Sequence, residues 1–262
     1  MNKTRLIREL RQNLDIKGGG IIGVHSSLSS IGHVKGGPVT LIEALIAAMG
    51  GEDNGTLLMP CFNEPYDVVD LRSTPCRLGA VAEAFRRYPG VIRSVHHTHS
   101  VCAFGRLAKD LTEGHRNTAP LGRGSPFHKL AGAGGDILLI GCDMRSCSLI
   151  HTAESLAGMP YLAVPYTGYD KNIRLIIDDR HEKVCPPVDV PGDSEAFTKV
   201  QEEMKKRGFL LHGKLGQADC IKARGRDILD TAIDMLGQDP YVLLSDGPVS
   251  MARRKFMADR GE

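Results

Sequence analysis

In the segment SCSLIHTAESL, residues 146–156, a histidine and a glutamate stand three positions apart, His151 and Glu154. Residues three apart on a helix share a face, so an imidazole and a carboxylate at this spacing can touch. Such a pair suits general base catalysis: the carboxylate orients one ring nitrogen while the other accepts a proton. A helix beginning near Ser148 puts His151 in its first turn, where the positive dipole end disfavours imidazolium and keeps the ring ready to accept. A plain ion pair at a helix surface is the competing explanation, and the local sequence does not separate the two. No serine or cysteine is compellingly placed as a nucleophile beside the ring, although Cys147 and Ser148 are close in sequence.

Two further stretches carry reactive types. VHSSLSSIGHVKGG, residues 24–37, gathers four serines and several glycines ahead of a helix start. Hydroxyls and exposed backbone N–H groups there could cradle a phosphate or an oxyanion. The stretch is neither GxxxxGK[ST] nor GxGxxG, and a polar strand-to-helix turn explains it equally simply. RSVHHTHS, residues 93–100, holds His96, His97 and His99, which invites a metal site. Alternate positions along a strand point to opposite faces, however, and HHxH is no standard zinc spacing. A metal-dependent hydrolase using the His96/His99 cluster with Asp143 or His151 is the rival enzyme; hydrogen bonding to backbone or ligand is the plainer role for these rings.

The elements that must position these residues are read from periodicity. Residues 3–14 place Leu6, Ile7, Leu10 and Leu14 at helical spacing, and Gly18 to Gly20 end that helix. GIIGVH is a short buried strand, Pro38 opens a helix with Leu41, Leu45, Ile46 and Met49 on one face, and TLLMP is a second strand. LGAVAEAFRRYPG, DSEAFTKVQEEMKKRG and RGRDILDTAIDMLGQDP read as helices, SVCAFG and DILLIG as strands. YLAVPYTGY and NIRLIIDD read as two strands joined by a turn, with antiparallel pairing expected. Strands that are continuous apolar runs, alternating with helices, predict an α/β fold: one domain over 1–262, a central mixed, largely parallel sheet flanked by helices, and a decorated C-terminal part. Ligands of such sheets sit beyond the carboxyl ends of strands, where the serine turn, CFNEPYD and CDMRSCSLIH would converge.

Composition narrows the function classes. A formal net charge of +2 argues against a dedicated nucleic-acid binder. The basic run ARRKF near the C-terminus reads as a solvated helix face. No stretch approaches the roughly 18 apolar residues of a membrane span. The first twenty residues lack the apolar core of a signal peptide. Seven cysteines without a CxxC pair then read as reduced thiols in a cytoplasmic protein.

In order along the chain, VHSSLSSIGHVKGG, GTLLMPCF, DLRSTPCRLGAVAEAFRRYPGVIRSVHHTHSVCAFG, GRGSPFHKL, DILLIGCDMRSCSLIHTAE and, weakly, GKLGQADC resemble the aminoglycoside 3-N-acetyltransferase family, the non-GNAT antibiotic N-acetyltransferases. The resemblance covers nearly the whole chain. It implies acetyl transfer from acetyl-CoA, as co-substrate, to an amine, with antibiotic resistance as the associated role. No metal, nucleic acid or membrane is implied as a partner, and the molecule would be a monomer or a homodimer. It implies His151 as the catalytic histidine and Glu154 as its acid. Ser26, Ser27, Leu28, Ser29 and Val34 would line the pantetheine channel; Arg93, His96, Ser100, Ser125 and Pro126 would face the pantetheine or the phosphates. Asp70, with Glu64 and Asp67, would meet the cationic acceptor. Two departures stand out. HH replaces the family's HP at His96–His97, and NEPYDVVDLR, residues 63–72, is shorter than in drug-modifying members. That brevity leaves a non-antibiotic amine metabolite open as acceptor, and a non-catalytic binding descendant is a third alternative.

Overall fold

The computed structural model describes residues 1–63, 68–164, 174–177, 183–184 and 191–260. In chain order the helices and strands begin with α1 (Lys3–Leu14), β1 (Ile21–Ser26), α2 (Gly37–Ala48), β2 (Thr56–Pro60), β3 (Val68–Asp70), α3 (Ala80–Arg86), β4 (Ile92–Arg93) and β5 (Val101–Gly105). They continue with α4 (Ala108–Thr112), α5 (Pro126–Gly132), β6 (Asp136–Ile140), α6 (Ser148–Leu156), β7 (Arg174–Ile177) and β8 (Lys183–Val184). The C-terminal part adds α7 (Thr198–Lys206), β9 (Leu211–Leu215), β10 (Ala218–Arg224), α8 (Gly225–Gln238) and α9 (Pro248–Arg260).

Local chemistry accounts for the boundaries. The Asn2 side chain accepts the Arg5 N–H and caps α1, which buries the three leucines its periodicity predicts, Leu6, Leu10 and Leu14. Pro38 lies in the first turn of α2 and Pro126 in that of α5, where a missing N–H costs nothing.

Seven strands form one mixed sheet in the order β4-β5-β2-β1-β6-β10-β9, flanked by helices as the apolar runs predict. Its centre is parallel: β1 pairs with β2 on one side and β6 on the other, Ile21 opposite Thr56 and Ile22 opposite Asp136. The outer pairings are antiparallel, so the parallel share is smaller than the strand–helix alternation suggests. For the outermost pair the reason is connection length. β9 and β10 are joined through Gly216 and Gln217 alone, a hairpin that can only be antiparallel. Gly216 takes the positive φ of 62° that this turn needs. The expected strand pair after Tyr161 is revised. Pro160–Ala163 is a 3-10 turn, residues 165–173 lie outside those described, and β7 pairs instead with β8 and, in parallel, with β3.

Alternate strand residues feed two cores, one per face of the sheet. Leu138 and Ile140 pack with Leu6, Leu10, Leu41 and Phe85 under α1, α2 and α3. Ile137 and Leu139 pack with Phe127, Ile150, Phe197 and Ile228 under α5 to α8. A third, smaller cluster joins Tyr161 and Leu162 to Leu244 and Met257 of α9. Among the described residues no helix is long and apolar enough to cross a membrane.

Candidate active site

The carboxyl ends of β1, β2 and β6 open into a cavity of about 440 Å³. Its wall takes Ser26 and Ser27 from the end of β1, Phe62 from just after β2, Cys142 and Arg145 from the loop after β6, and His151 from α6. Residues 191–194 close it from the far side with Pro191, Gly192 and Ser194. The chain thus uses the strand ends where an α/β sheet puts its ligands.

Helix α6 begins at Ser148, so His151 falls in its first turn as expected. The His151 Nδ1 lies 2.7 Å from Oε2 of Glu154. Glu154 is 1% exposed, and its other oxygen accepts a 2.8 Å hydrogen bond from the Tyr161 hydroxyl. With the carboxylate accepting, the proton of the neutral ring sits on Nδ1 and leaves Nε2 as the basic nitrogen. The ring of Phe197 meets the imidazole at 4.7 Å and 63°, holding its tilt from the side. A buried carboxylate with a hydrogen bond on each oxygen is no solvated surface pair.

The serine turn is internally braced. Ser30 Oγ donates to Ser27 Oγ at 2.9 Å, Ser27 and Ser29 hydroxyls lie 3.2 Å apart, and the Ser27 N–H is bonded to Ile140 O. Ser26 and Ser27 reach the cavity wall with His151; Leu28 packs against the core, Ser29 is exposed, and Val34 is buried.

Other predicted residues hold loops in place and do not line this cavity. Arg93 donates to the carbonyls of Leu71 and Thr74 and to Asn63 Oδ1. His96 is fully buried; its Nδ1 accepts the N–H groups of Thr98 and His99, and its carbonyl accepts from the Ser100 hydroxyl and the Asn63 amide. Ser125 caps α5 and Pro126 fills its first buried position. Asp70 accepts the Arg72 N–H, which holds its carboxyl below the usual range. Glu64 and Asp67 lie outside the described residues.

The histidine cluster argues against the hydrolase alternative. His96 stacks at 4.5 Å on both His97 and His115, and its Nδ1 lone pair is already spent on backbone. His96 and His99, the pair that alternative relies on, meet edge-on at 6.4 Å, and no group of three or more His, Cys, Asp or Glu able to hold a metal ion occurs among the described residues. His99 lines the cavity, its ring 4.3 Å from that of Phe62. His25 also lines the cavity, and burial pushes its pKa down to about 4.

The thiols here are inert. Burial pushes Cys147 up to about 12 and raises Cys142, so neither offers a thiolate at neutral pH. The cavity wall therefore carries an imidazole and hydroxyls beside thiols held in the neutral form. Four contributors escape a reading of the sequence: Phe197, Tyr161, His25 and Arg253. Arg253 lies in ARRKF, expected to be solvated, yet it is 1% exposed with its guanidinium carbon 5.3 Å from the Tyr161 ring centroid. The signal for it is helical spacing, since Ser250, Arg253 and Met257 share the buried face of α9.

Comparison with known proteins places the chain in a family. Residues 24–237 match the family described as aminoglycoside 3-N-acetyltransferase. Aminoglycoside N(3)-acetyltransferase IV of a Salmonella species is 32% identical over 257 residues, covering 97% of this chain and 94% of that protein. The crystal structure of aminoglycoside acetyltransferase AAC(3)-IVa, a histidine-to-alanine mutant in complex with a gentamicin, superposes with a TM-score of 0.83 at 31% identity, over 93% of this chain and 91% of that one. AAC-IIIb in its binary complex with CoASH gives a TM-score of 0.78 at 25% identity, over 91% and 97% of the two chains. Matched over most of its length by fold and sequence alike, the chain belongs to the aminoglycoside 3-N-acetyltransferase family of acyltransferases.

Proposed function

We propose that this chain transfers acetyl from acetyl-CoA to the 3-amino group of an aminoglycoside or to a related amine, with His151 as general base oriented by Glu154. The observation that carries this reading is the 2.7 Å His151–Glu154 contact, with the acid sealed and the imidazole on the cavity wall. An ammonium cannot attack a thioester, so a base must take its proton. The amine nitrogen forms a bond to the acetyl carbon while His151 Nε2 receives the proton. The tetrahedral oxyanion collapses, the carbon–sulfur bond breaks, and the departing CoA thiolate takes a proton from the imidazolium. Glu154 stabilises that imidazolium through Nδ1, and general base help of this kind contributes about 10²- to 10⁴-fold. The hydroxyls of Ser26, Ser27 and Ser148, which all border the cavity, serve as candidate donors to the oxyanion. No covalent enzyme intermediate is needed, in keeping with the raised thiols.

Ser26 and Ser27 mark the end of the channel for the thioester, and Glu64, Asp67 and Asp70 belong to the segment that would recognise acceptor ammonium groups. Acetylation of one such amine removes a charge, which is the chemical basis of resistance.

A thiol-release assay with acetyl-CoA across a panel of aminoglycosides and small amines tests the reading and sorts the acceptor. His151→Ala should lose at least about 10²-fold in turnover while acetyl-CoA affinity by titration calorimetry stays within twofold; equal loss of both would make the residue structural. Glu154→Gln should lower turnover by less than His151→Ala, and a full-speed Glu154→Gln enzyme removes the acid from the mechanism. Failure of the wild-type protein to bind acetyl-CoA at millimolar concentration overturns the proposal.

A further inference from the structure

The acid of the dyad is itself held from behind. Tyr161 stands in the 3-10 turn Pro160–Ala163 that follows α6, is fully buried, and gives its hydroxyl hydrogen to Glu154 Oε1 at 2.8 Å. Burial and the adjacent carboxylate raise the phenol far above its usual range, so the hydroxyl stays protonated and can only act as donor toward the acid. Over the tyrosine ring lies the guanidinium of Arg253, 5.3 Å from the centroid and 1% exposed. Arg253 comes from α9, roughly a hundred residues further along the chain. Among the described residues the acids Glu154 and Asp193 act on its charge. Asp193 is tied to the same helix by the Ser250 hydroxyl at 2.7 Å. Arg253 also packs so closely on Gly192 that a Cβ there would overlap the guanidinium, and Gly192 is part of the cavity wall. Leu244 and Met257 complete the packing around Tyr161.

We infer that Tyr161 and Arg253 are positioning residues for the acetyl transfer: the tyrosine hydroxyl fixes the Glu154 carboxylate, and Arg253, delivered by the C-terminal helix, fixes the tyrosine and balances the buried acid. The inference rests on the His151–Glu154 assignment above. The physical requirement is general. A buried carboxylate that must steer an imidazole needs its second oxygen satisfied and its charge compensated; otherwise it rotates or takes up a proton. Glu154 is sealed from solvent, so the protein supplies both: the hydrogen bond from Tyr161 and the cation from Arg253. Neither residue lines the cavity, so both act through the acid.

Tyr161→Phe keeps the ring and removes only the hydroxyl. It should lower kcat about tenfold, the worth of one hydrogen bond to a charged group, with KM for acetyl-CoA and for the acceptor within twofold of wild type. Arg253→Met should do the same, and Arg253→Lys should recover part of the loss. The decisive readout is a double-mutant cycle on the full chain. If Tyr161 acts through the carboxylate, Tyr161→Phe added to Glu154→Gln costs no more than about twofold further. A full additional tenfold loss in that background overturns the inference, as does a Tyr161→Phe enzyme with wild-type kcat. Should Arg253→Met fail to fold, Arg253→Lys decides for that residue: a folded Arg253→Lys protein with kcat and both KM values all unchanged removes the guanidinium from the argument. Failure of the underlying assignment looks different, because His151→Ala would then retain turnover. A dead His151→Ala beside a full-speed Tyr161→Phe sinks this inference alone.

Discussion

Acidification should unfold this protein earlier than its carboxylates would predict, because several imidazoles are sealed in the fold. His25 and His115 are 7% and 1% exposed, and burial pushes both from the ordinary histidine value near 6.5 down to about 4. His115 is committed to the neutral form: one ring nitrogen meets Ser94 Oγ at 2.8 Å, the other Pro120 O at 3.0 Å, with Lys129 and His97 as further charge-repelling neighbours. The folded value lies below the unfolded one, so between pH 6.5 and 4 the unfolded chain binds more protons. Stability is therefore complete above about pH 6.5 and drains away as pH falls toward 4, where the loss saturates. A shift from 6.5 to 4 is worth about 3.4 kcal/mol per imidazole at saturation. By pH 5.5 about 1.4 kcal/mol of it is already lost, roughly 3 kcal/mol for the pair. His96, held low by burial and its histidine neighbours, adds in the same direction. Against a total of about 5–15 kcal/mol, that is a large fraction. Urea unfolding at pH 7.5 and 5.5, a window above the carboxylate range, should show the midpoint falling by about 1 M or more. Replacing one ring, as in His115→Gln, should flatten the pH slope by about one proton while lowering stability at pH 7.5. An unchanged midpoint between the two pH values, or an unchanged slope in the variant, refutes the argument.

Gly141 ends β6 at a φ of 65°, and a Cβ there would strike Ser30 of the serine turn; Gly141→Ala should raise KM for acetyl-CoA about tenfold by displacing that turn, read by steady-state kinetics. Phe197→Leu removes the edge contact on His151, worth about 0.5–1.5 kcal/mol for an aromatic pair, so Tm should fall by roughly 2–5 °C and kcat severalfold, measured by calorimetry and thiol release. Chelation should leave turnover untouched, since no group of three or more His, Cys, Asp or Glu able to hold a metal ion occurs among the described residues; activity lost to EDTA and restored by zinc would revive the hydrolase.

Much of this is written in local spacing. Leu6, Leu10 and Leu14 announce α1, and β1, β2 and β6 are short apolar runs whose polar continuations mark the ligand edge. His151 and Glu154 are legible for the same reason, one helical turn holding both partners. Legibility ends where a side chain's task depends on distant chain. Arg93 at the end of β4 and His96 and Ser100 in the loop after it are polar, and sequence cannot tell a ligand donor from one that satisfies the carbonyls of Leu71, Thr74 and His96. The antiparallel flank is hard to read because LHGKLGQADCIKAR alternates weakly, with β9 largely exposed. Arg253 reads as solvated because charge outweighs its spacing with Ser250 and Met257.

That last residue shows how the fold divides labour. Strand ends and loops bring Ser26, Ser27, Phe62 and Cys142 to the cavity, where variation of loops can alter the ligand without touching the sheet. His151 and Glu154, which as the proposed base and acid need angular precision, stand on a helix packed against α8 and the sheet. A carboxylate on that buried face cannot borrow water as its partner, so a protein donor and a protein cation must come from elsewhere in the chain. The turn after α6 and helix α9 meet that demand with Tyr161 and Arg253. On the proposed mechanism the C-terminal helix is thereby tied to the chemistry, and the reach of the site extends past the loops that surround it.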